Sequence, residues 1–361
     1  MTERLERYTV AAVQAAPVFL DLEATLDRCC ALIEEAAAHD ARLIVFPEAF
    51  VPAYPLWAWH VPAGQSRPLR ELYVELLDNA VSVPGPALVR LAAAARAAQA
   101  TVVVGVNERN AEASGTTLYN SLLYFGPDGR LLGRHRKLVP TSGERLVHAQ
   151  GDGSTLEVFD TPAGRLSGLI CWENYMPLAR YALYAAGVEV WVAPTWDRGE
   201  PWLSTLRHIA KEGRVYVVGC CSAVRLDDIP DAYPFKAALG GSPWVNPGDS
   251  AIVDPDGKLV AGPLHESQEI LYGDVDLRQV RGPRWQLDVA GHYGRPDVFE
   301  LRVDGRSRPM ASVLRDGSDV GATTSSAPDT AESGGAAAAG ATGRDGAAAP
   351  GPRAQGDAAP R

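Results

Sequence analysis

The sequence predicts an α/β fold in which mixed β-sheets are covered by helices on their outer faces. Short apolar runs alternate with helix-patterned stretches over residues 8–305. Two hairpins interrupt that alternation, so the sheets are not purely parallel. The hairpins also resemble each other: LLYFGPDGRLLG at 122–133 and AIVDPDGKLVAG at 251–262 each run from an apolar strand through a Pro-Asp-Gly turn and a basic residue into a second strand. Proline presets φ and glycine accepts a positive φ, which is hairpin chemistry. The echo reads as two corresponding hairpins in a pseudo-symmetric β core.

The elements follow in order. YTVAAVQA is a strand ending before Pro17, and Asp21 can cap a helix over 22–38, where Leu22, Leu26, Cys29, Ile33 and Ala37 keep close to helical spacing. ARLIVFPEAF is a buried strand stopped by Pro47. An Ala-rich helix over 86–100 precedes the strand TVVVGV, and SLLYF enters the first hairpin. RLSGLIC is a strand, 177–186 a helix, and VEVWVAP a strand. A helix over 202–212 leads to VYVVGCC, the second hairpin follows, and ILYGDVDL is the last strand.

Of 361 residues, 34 are Lys or Arg and 44 are Asp or Glu, a formal charge of −10. That balance does not suit a nucleic-acid partner, which wants clustered positive charge. The longest apolar stretch, near 215–224, is about half the roughly 20 residues of a membrane-spanning helix, so no membrane association is expected. The N-terminal MTERLERYTV is charged and lacks the apolar stretch of a secretory signal. Cysteines at 29, 30, 171, 220 and 221 form neither a disulfide framework nor zinc-ligand spacing. Reduced thiols and a cytoplasmic location are expected. Beyond about residue 306 the composition turns to Ala, Gly, Ser, Asp and Pro, which cannot bury enough apolar surface to offset ordering entropy. The expected division is a single domain over 1–306 and a disordered tail over 307–361.

Three apolar runs each lead to a reactive residue: LIVFPEAF to Glu48, GRHRKLVP to Lys137 and RLSGLICWEN to Cys171. A carboxylate, an ammonium and a thiol form a workable set of base, electrophile stabiliser and nucleophile. Taken singly, each has a plain alternative. Cys171 suits a core position, Glu48 could close a surface turn, and Lys137 with Arg134, His135 and Arg136 could form a solvated basic face. No histidine pairs with a second ligand at zinc-site spacing, so no metal is expected. No G-x-S-x-G elbow is present, and the glycines of GDGS at 151–154 do not open a helix after a strand.

The segments FPEAF, HRKLVPT and CWEN, in that order and spacing, resemble the nitrilase branch of the carbon–nitrogen hydrolase superfamily. The likeness continues through GERLVHAQGDGS, APTWD at 193–197 and DVAGHYGRPD at 288–297, and covers residues 8–300. It implies a four-layer α-β-β-α sandwich of two mixed sheets. It also implies Glu48, Lys137 and Cys171 as catalytic residues, Glu144 as an orienting carboxylate, and the Trp172 N–H as a partner of Lys137 in oxyanion stabilisation. The reaction implied is hydrolysis of an organic nitrile to a carboxylic acid and ammonia through a cysteine thioimidate and thioester, without a cofactor. Cyanide hydration or dihydration and amide hydrolysis are the alternatives. Homo-oligomers, dimers that extend into spirals, are implied as well.

The neighbouring cation is expected to lower the pKa of the Cys171 thiol. Tyr54, Trp57 and Trp59, in VPAYPLWAWH, are candidate walls of a substrate pocket, with Trp172, Thr195 and Trp196 beside them. Such walls suit an organic nitrile better than free cyanide. Packing into the core or a subunit interface is the alternative for Trp57 and Trp59. His60 has no visible partner and reads as a surface or interface residue.

Overall fold

The computed structural model describes residues 4–311, so the tail expected over 307–361 lies outside the described residues from 312 onward. The first half of the chain holds β1 (Arg7–Gln14), α1 (Leu22–Ala38), β2 (Ala41–Val45), α2 (Ser66–Asp78), β3 (Val81–Ser82), α3 (Pro86–Ala98), β4 (Thr101–Arg109), β5 (Leu118–Phe125) and β6 (Leu131–Arg136). The second half holds β7 (Phe159–Thr161), β8 (Gly164–Gly168), α4 (Pro177–Ala185), β9 (Val190–Thr195), α5 (Glu200–Gly213), β10 (Tyr216–Cys221) and β11 (Ala223–Arg225). It closes with β12 (Trp244–Val253), β13 (Leu259–His265), β14 (Glu269–Asp276) and α6 (Arg278–Arg284).

Two seven-stranded sheets result, ordered β14-β1-β2-β4-β5-β6 with β3 on β4, and β11-β12-β10-β9-β8-β7 with β13 on β12. The halves share one plan. Parallel β1, β2 and β4 pass to antiparallel β5 and then β6. Parallel β8, β9 and β10 pass to antiparallel β12 and then β13. An antiparallel strand flanks each triple, β14 against β1 and β7 against β8. The two Pro-Asp-Gly hairpins are therefore β5–β6 and β12–β13, in corresponding places, as the repeated sequence predicts.

Alternation along the strands builds four layers. In β1, Val10 and Ala12 face the opposite sheet, where they join Val45, Leu122, Val192, Val218 and Ile252 in the central core. Ala11 and Val13 face the other way, toward Leu26 and Ile33 of α1 and Leu91 of α3. On the far side Leu183 of α4 and Leu206 of α5 cover Trp191 and Val217. Asp21 caps α1 as expected, accepting from the Ala24 N–H at 2.9 Å.

Strand ends differ from expectation where the site begins. β2 stops at Val45 and β8 at Gly168, so Glu48 and Cys171 lie on turns beyond the strands. Cys171 has φ +52°, a left-handed conformation that costs a non-glycine residue about 1–3 kcal/mol and needs surrounding contacts to hold it. The Glu48 turn needs a glycine elsewhere. A Cβ on Gly105 of β4 would meet the Pro47 carbonyl at 2.0 Å and the Ala49 nitrogen at 2.8 Å, so only glycine lets that turn lie on the sheet. Helix α2 is an addition to the predicted elements; its Leu72, Leu76 and Leu77 are buried.

Candidate active site

β6 ends in the sequence Arg134-His135-Arg136 and points alternate residues to opposite sides. Arg134 and Arg136 both pair with Glu108 of β4, at 2.7 and 2.6 Å. His135 and Lys137 turn inward and are buried. The solvated basic face open to Lys137 in the sequence is thereby replaced by a fully buried ammonium, 0% exposed. Such a charge needs compensation. Lys137 Nζ donates to Glu48 Oε1 at 2.7 Å and to Glu144 Oε2 at 2.7 Å.

Each carboxylate is held in turn. Glu48 Oε1 accepts from Asn120 Nδ2 at 2.8 Å, and its Oε2 accepts from the Trp196 N–H at 2.9 Å. That second bond ties the turn after β2 to the end of β9 in the opposite sheet. Glu144, on the short turn Ser142–Leu146, accepts from the Thr141 N–H at 3.0 Å and from the Tyr54 hydroxyl at 2.8 Å. Trp59 Nε1 donates to that hydroxyl at 3.1 Å.

The environments push the two carboxyls apart. Burial raises Glu48 to about 7, against the pull of Lys137. Burial opposes ionisation of Glu144 too, but Lys137 and the Thr141 N–H hold it below the usual carboxylate range. Burial also opposes the charge on Lys137, yet Glu48, Cys171 and Glu144 keep its pKa above the ordinary lysine value. Glu144 therefore remains the fixed anion and Glu48 is the group that titrates near neutrality.

Cys171 lies within the field of all three. Burial and Glu48 push its thiol up, outweighing Lys137 and a hydrogen bond with the Thr195 side chain. This corrects the expected lowering of the thiol pKa: the cation is present, but the dry site and the carboxylate dominate. Thr195 Oγ1 accepts from the Asp197 N–H at 2.8 Å, which leaves its O–H for the sulfur. Cys171 and Glu144 open onto a cavity of about 530 Å³ whose walls include Tyr54, Trp59, Trp172, Trp196 and Trp244. Tyr54 stacks on Trp196 with ring centroids 4.6 Å apart. Among the described residues no three His, Cys, Asp or Glu side chains form a metal-binding group.

A carbon–nitrogen hydrolase family model matches residues 9–284. The chain is 43% identical over 312 residues to an aliphatic nitrilase of Sinorhizobium fredii, covering 86% of this chain and 99% of that one. It is 42% identical to the bifunctional nitrilase/nitrile hydratase NIT4A of Lupinus angustifolius, over 81% of this chain and 84% of that one. The chain is a carbon–nitrogen hydrolase of the nitrilase branch. Its fold is that of Saccharomyces cerevisiae Nit3, described as a member of branch 10 of the nitrilase superfamily, with a TM-score of 0.62 at 23% identity over 80% of this chain and 97% of that one.

In this hydrolase the sequence-predicted residues Glu48, Lys137, Glu144 and Cys171 come together, with Tyr54, Trp59, Trp172 and Trp196 around the cavity. Trp57 does not join them. It is 1% exposed and packs with Leu56, Leu76 and Phe235, so the core alternative holds for Trp57. Thr195 is buried and reaches the thiol; the cavity walls are other side chains. His60 is exposed, as expected, at the cavity. Sequence reasoning missed Asn120, Trp244 and Leu239. Asn120 sits in the apolar strand LYNSLLYF, where a polar residue on a buried strand is a signal of a buried partner; Trp244 and Leu239 come from a stretch without periodicity.

Replacing Lys137 by Met leaves two carboxyls buried together without a cation. Removal of one partner from such a cluster is expected to destabilise by about 3–5 kcal/mol near pH 8. Both carboxyls in the variant are then held above their unfolded values, so folding takes up protons and stability recovers as pH falls. Thermal unfolding checks this: the deficit against the parent protein shrinks between pH 8 and pH 5.5, and an equal deficit at both values contradicts it.

Proposed function

We propose that this hydrolase is a nitrilase, converting an organic nitrile to the carboxylic acid and ammonia through a covalent adduct on Cys171. The observation that carries the reading is a thiol, a buried lysine and a carboxylate with a pKa near 7 meeting at an aromatic-walled cavity. The names of the relatives support the same chemistry. A cavity of about 530 Å³ favours an organic nitrile over free cyanide.

The thiol starts protonated, so Glu48 must remove its proton as the sulfur attacks the nitrile carbon. The nitrogen gains a proton and a thioimidate forms. Water adds across the C=N bond, giving a tetrahedral intermediate that Lys137 and the Trp172 N–H stabilise. No protein acceptor meets that N–H among the described residues, which supports its availability. Such a donor is typically worth about 3–4 kcal/mol in acyl chemistry. The C–N bond breaks, ammonia leaves with a proton returned through Glu48, and a thioester remains. A second water, deprotonated by Glu48, attacks the thioester; the carboxylic acid leaves and the thiol is restored. Breakage of the C–S bond at the tetrahedral stage would instead release an amide. Glu144 keeps Lys137 protonated and in place throughout.

The described residues contain no helix long and apolar enough to cross a membrane. Five free cysteines support a reducing compartment, the cytoplasm. Trp285, Tyr293 and Phe299 stand exposed along the stretch after α6, which supports self-association through a second copy of this chain. The change of composition near Ser307 supports a boundary there between the hydrolase domain and a tail.

A panel of an aliphatic nitrile, an aromatic nitrile, cyanide and the matching amides, with acid, amide and ammonia measured separately, tests the reaction. Organic nitriles are expected to give acid and ammonia in equal amounts, and Cys171→Ala should fold normally and lose turnover; retained hydrolysis in that variant excludes the nucleophile. The pH profile tests the base. Below its pKa Glu48 is protonated and cannot accept the thiol proton, so kcat/KM should rise with pH through a midpoint near 7. A profile that is flat from pH 5 to 8 removes Glu48 from that role.

A further inference from the structure

Glu173 is almost completely buried and lies outside the cavity walls, two residues after Cys171. Its Oε2 accepts from the Ile170 N–H at 2.9 Å, and its Oε1 accepts from the Leu138 N–H at 2.6 Å. Ile170 immediately precedes Cys171, and Leu138 immediately follows Lys137. One carboxylate therefore spans the two segments that deliver sulfur and ammonium, which arrive from opposite sheets.

His135 completes the bridge. Its Nδ1 lies 3.2 Å from the Thr155 carbonyl and its Nε2 lies 3.0 Å from Glu173 Oε2. The carbonyl and an ionised Glu173 both accept, so both ring nitrogens are placed to donate, which favours the protonated ring. Burial disfavours that charge, but Glu173 holds the His135 pKa above its usual value. Burial likewise opposes ionisation of Glu173, and His135 with the two N–H donors keeps it below the carboxylate range.

The bridge meets a strained turn. Cys171 is in the left-handed conformation, and its neighbours hold it there. Asn174 Nδ2 donates to the Leu169 and Cys171 carbonyls, each at 2.9 Å, and Asn174 Oδ1 accepts from Trp191 Nε1 at 2.8 Å. The Asn174 side chain bonds within the cysteine turn and to β9, whereas Glu173 also reaches the lysine segment.

We propose that Glu173, counter-charged by His135, is a positioning residue that fixes Cys171 relative to Lys137 by bonding to both of their chain segments. The proposal rests on the roles given above to Cys171 and Lys137. It makes a geometric demand. Two separate oxygens are required, and glutamine supplies only one. In Glu173→Gln one of the two N–H groups loses its acceptor, and the sulfur and ammonium are free to drift. A displacement of about 1 Å between reacting groups costs on the order of 10²-fold in rate.

The test compares the parent, Glu173→Gln and Glu173→Asp, with the reactive thiol at 171 titrated by a nitrile-protected alkylating label and counted by mass spectrometry. The expected result for Glu173→Gln is a loss of kcat per titrated thiol of roughly 10²-fold with KM changed by less than about 3-fold. Glu173→Asp, which keeps both oxygens, should regain part of that loss. Slower alkylation of Cys171 by iodoacetamide, a readout that needs no nitrile, should accompany it. The proposal is overturned by a kcat per titrated thiol within about 3-fold of the parent, including the case where only the folded fraction falls. Where Glu173→Gln does not fold, the charge-neutral pair Glu173→Gln/His135→Gln is held to the same limits. Failure of the nitrilase reading shows separately, as a parent protein that turns over no nitrile while its alkylation rate still responds to Glu173.

Discussion

A lysine ammonium cut off from solvent is stable in this fold only because two carboxylates meet it at 2.7 Å. The rest of the site is arranged around that constraint. Each carboxylate must stay where the cation needs it, so each is pinned by further donors: Asn120 and the Trp196 N–H for Glu48, Tyr54 and the Thr141 N–H for Glu144. The cluster carries two carboxyls against one ammonium, and burial, with Glu144 adding to it, lifts Glu48 to about 7 against the pull of Lys137. Burying the lysine and its partners together thereby leaves one carboxyl titrating near neutrality, the property the proposed base requires.

The same cluster joins the two sheets. Glu48 comes from the turn after β2, Lys137 from the end of β6 and Cys171 from the turn after β8, so no single sheet could supply all three. Backbone bonds to buried carboxylates carry the connection: Trp196 to Glu48, and Ile170 with Leu138 to Glu173. The thiol of Cys171 is buried as well, and with Glu144 it opens onto the cavity. Burial raises the pKa of the Cys171 thiol, which favours its protonated form in the free protein.

Much of this was legible in the sequence because strand periodicity and turn chemistry are local. The repeated Pro-Asp-Gly hairpins gave away corresponding strands in the two sheets, and Asp21 marked the start of α1. Glu48, Lys137, Glu144 and Cys171 were readable because each sits in an extended local pattern resembling known hydrolases. Other features depend on tertiary contacts and were not. Helix α2 begins at Ser66, and Gln65 before it makes no side-chain cap, so its start carries no signal. Trp57 and Trp59 share a loop and a residue type, yet one packs inward and the other faces the cavity. The direction of the thiol pKa is not legible in the sequence, because a nearby cation is visible there and the depth of burial is not. Glu173 was read only as part of a motif; its two N–H donors and His135 come from segments up to 38 residues away.

The central claim is that the sulfur of Cys171 makes the covalent bond to substrate. Acid quenching during steady-state turnover of a nitrile, followed by peptide mass spectrometry, measures this directly. The predicted result is an acyl adduct on the peptide containing Cys171, with Cys29, Cys30, Cys220 and Cys221 unmodified. An adduct on a different residue, or continued turnover of Cys171→Ser through another trapped nucleophile, would contradict it.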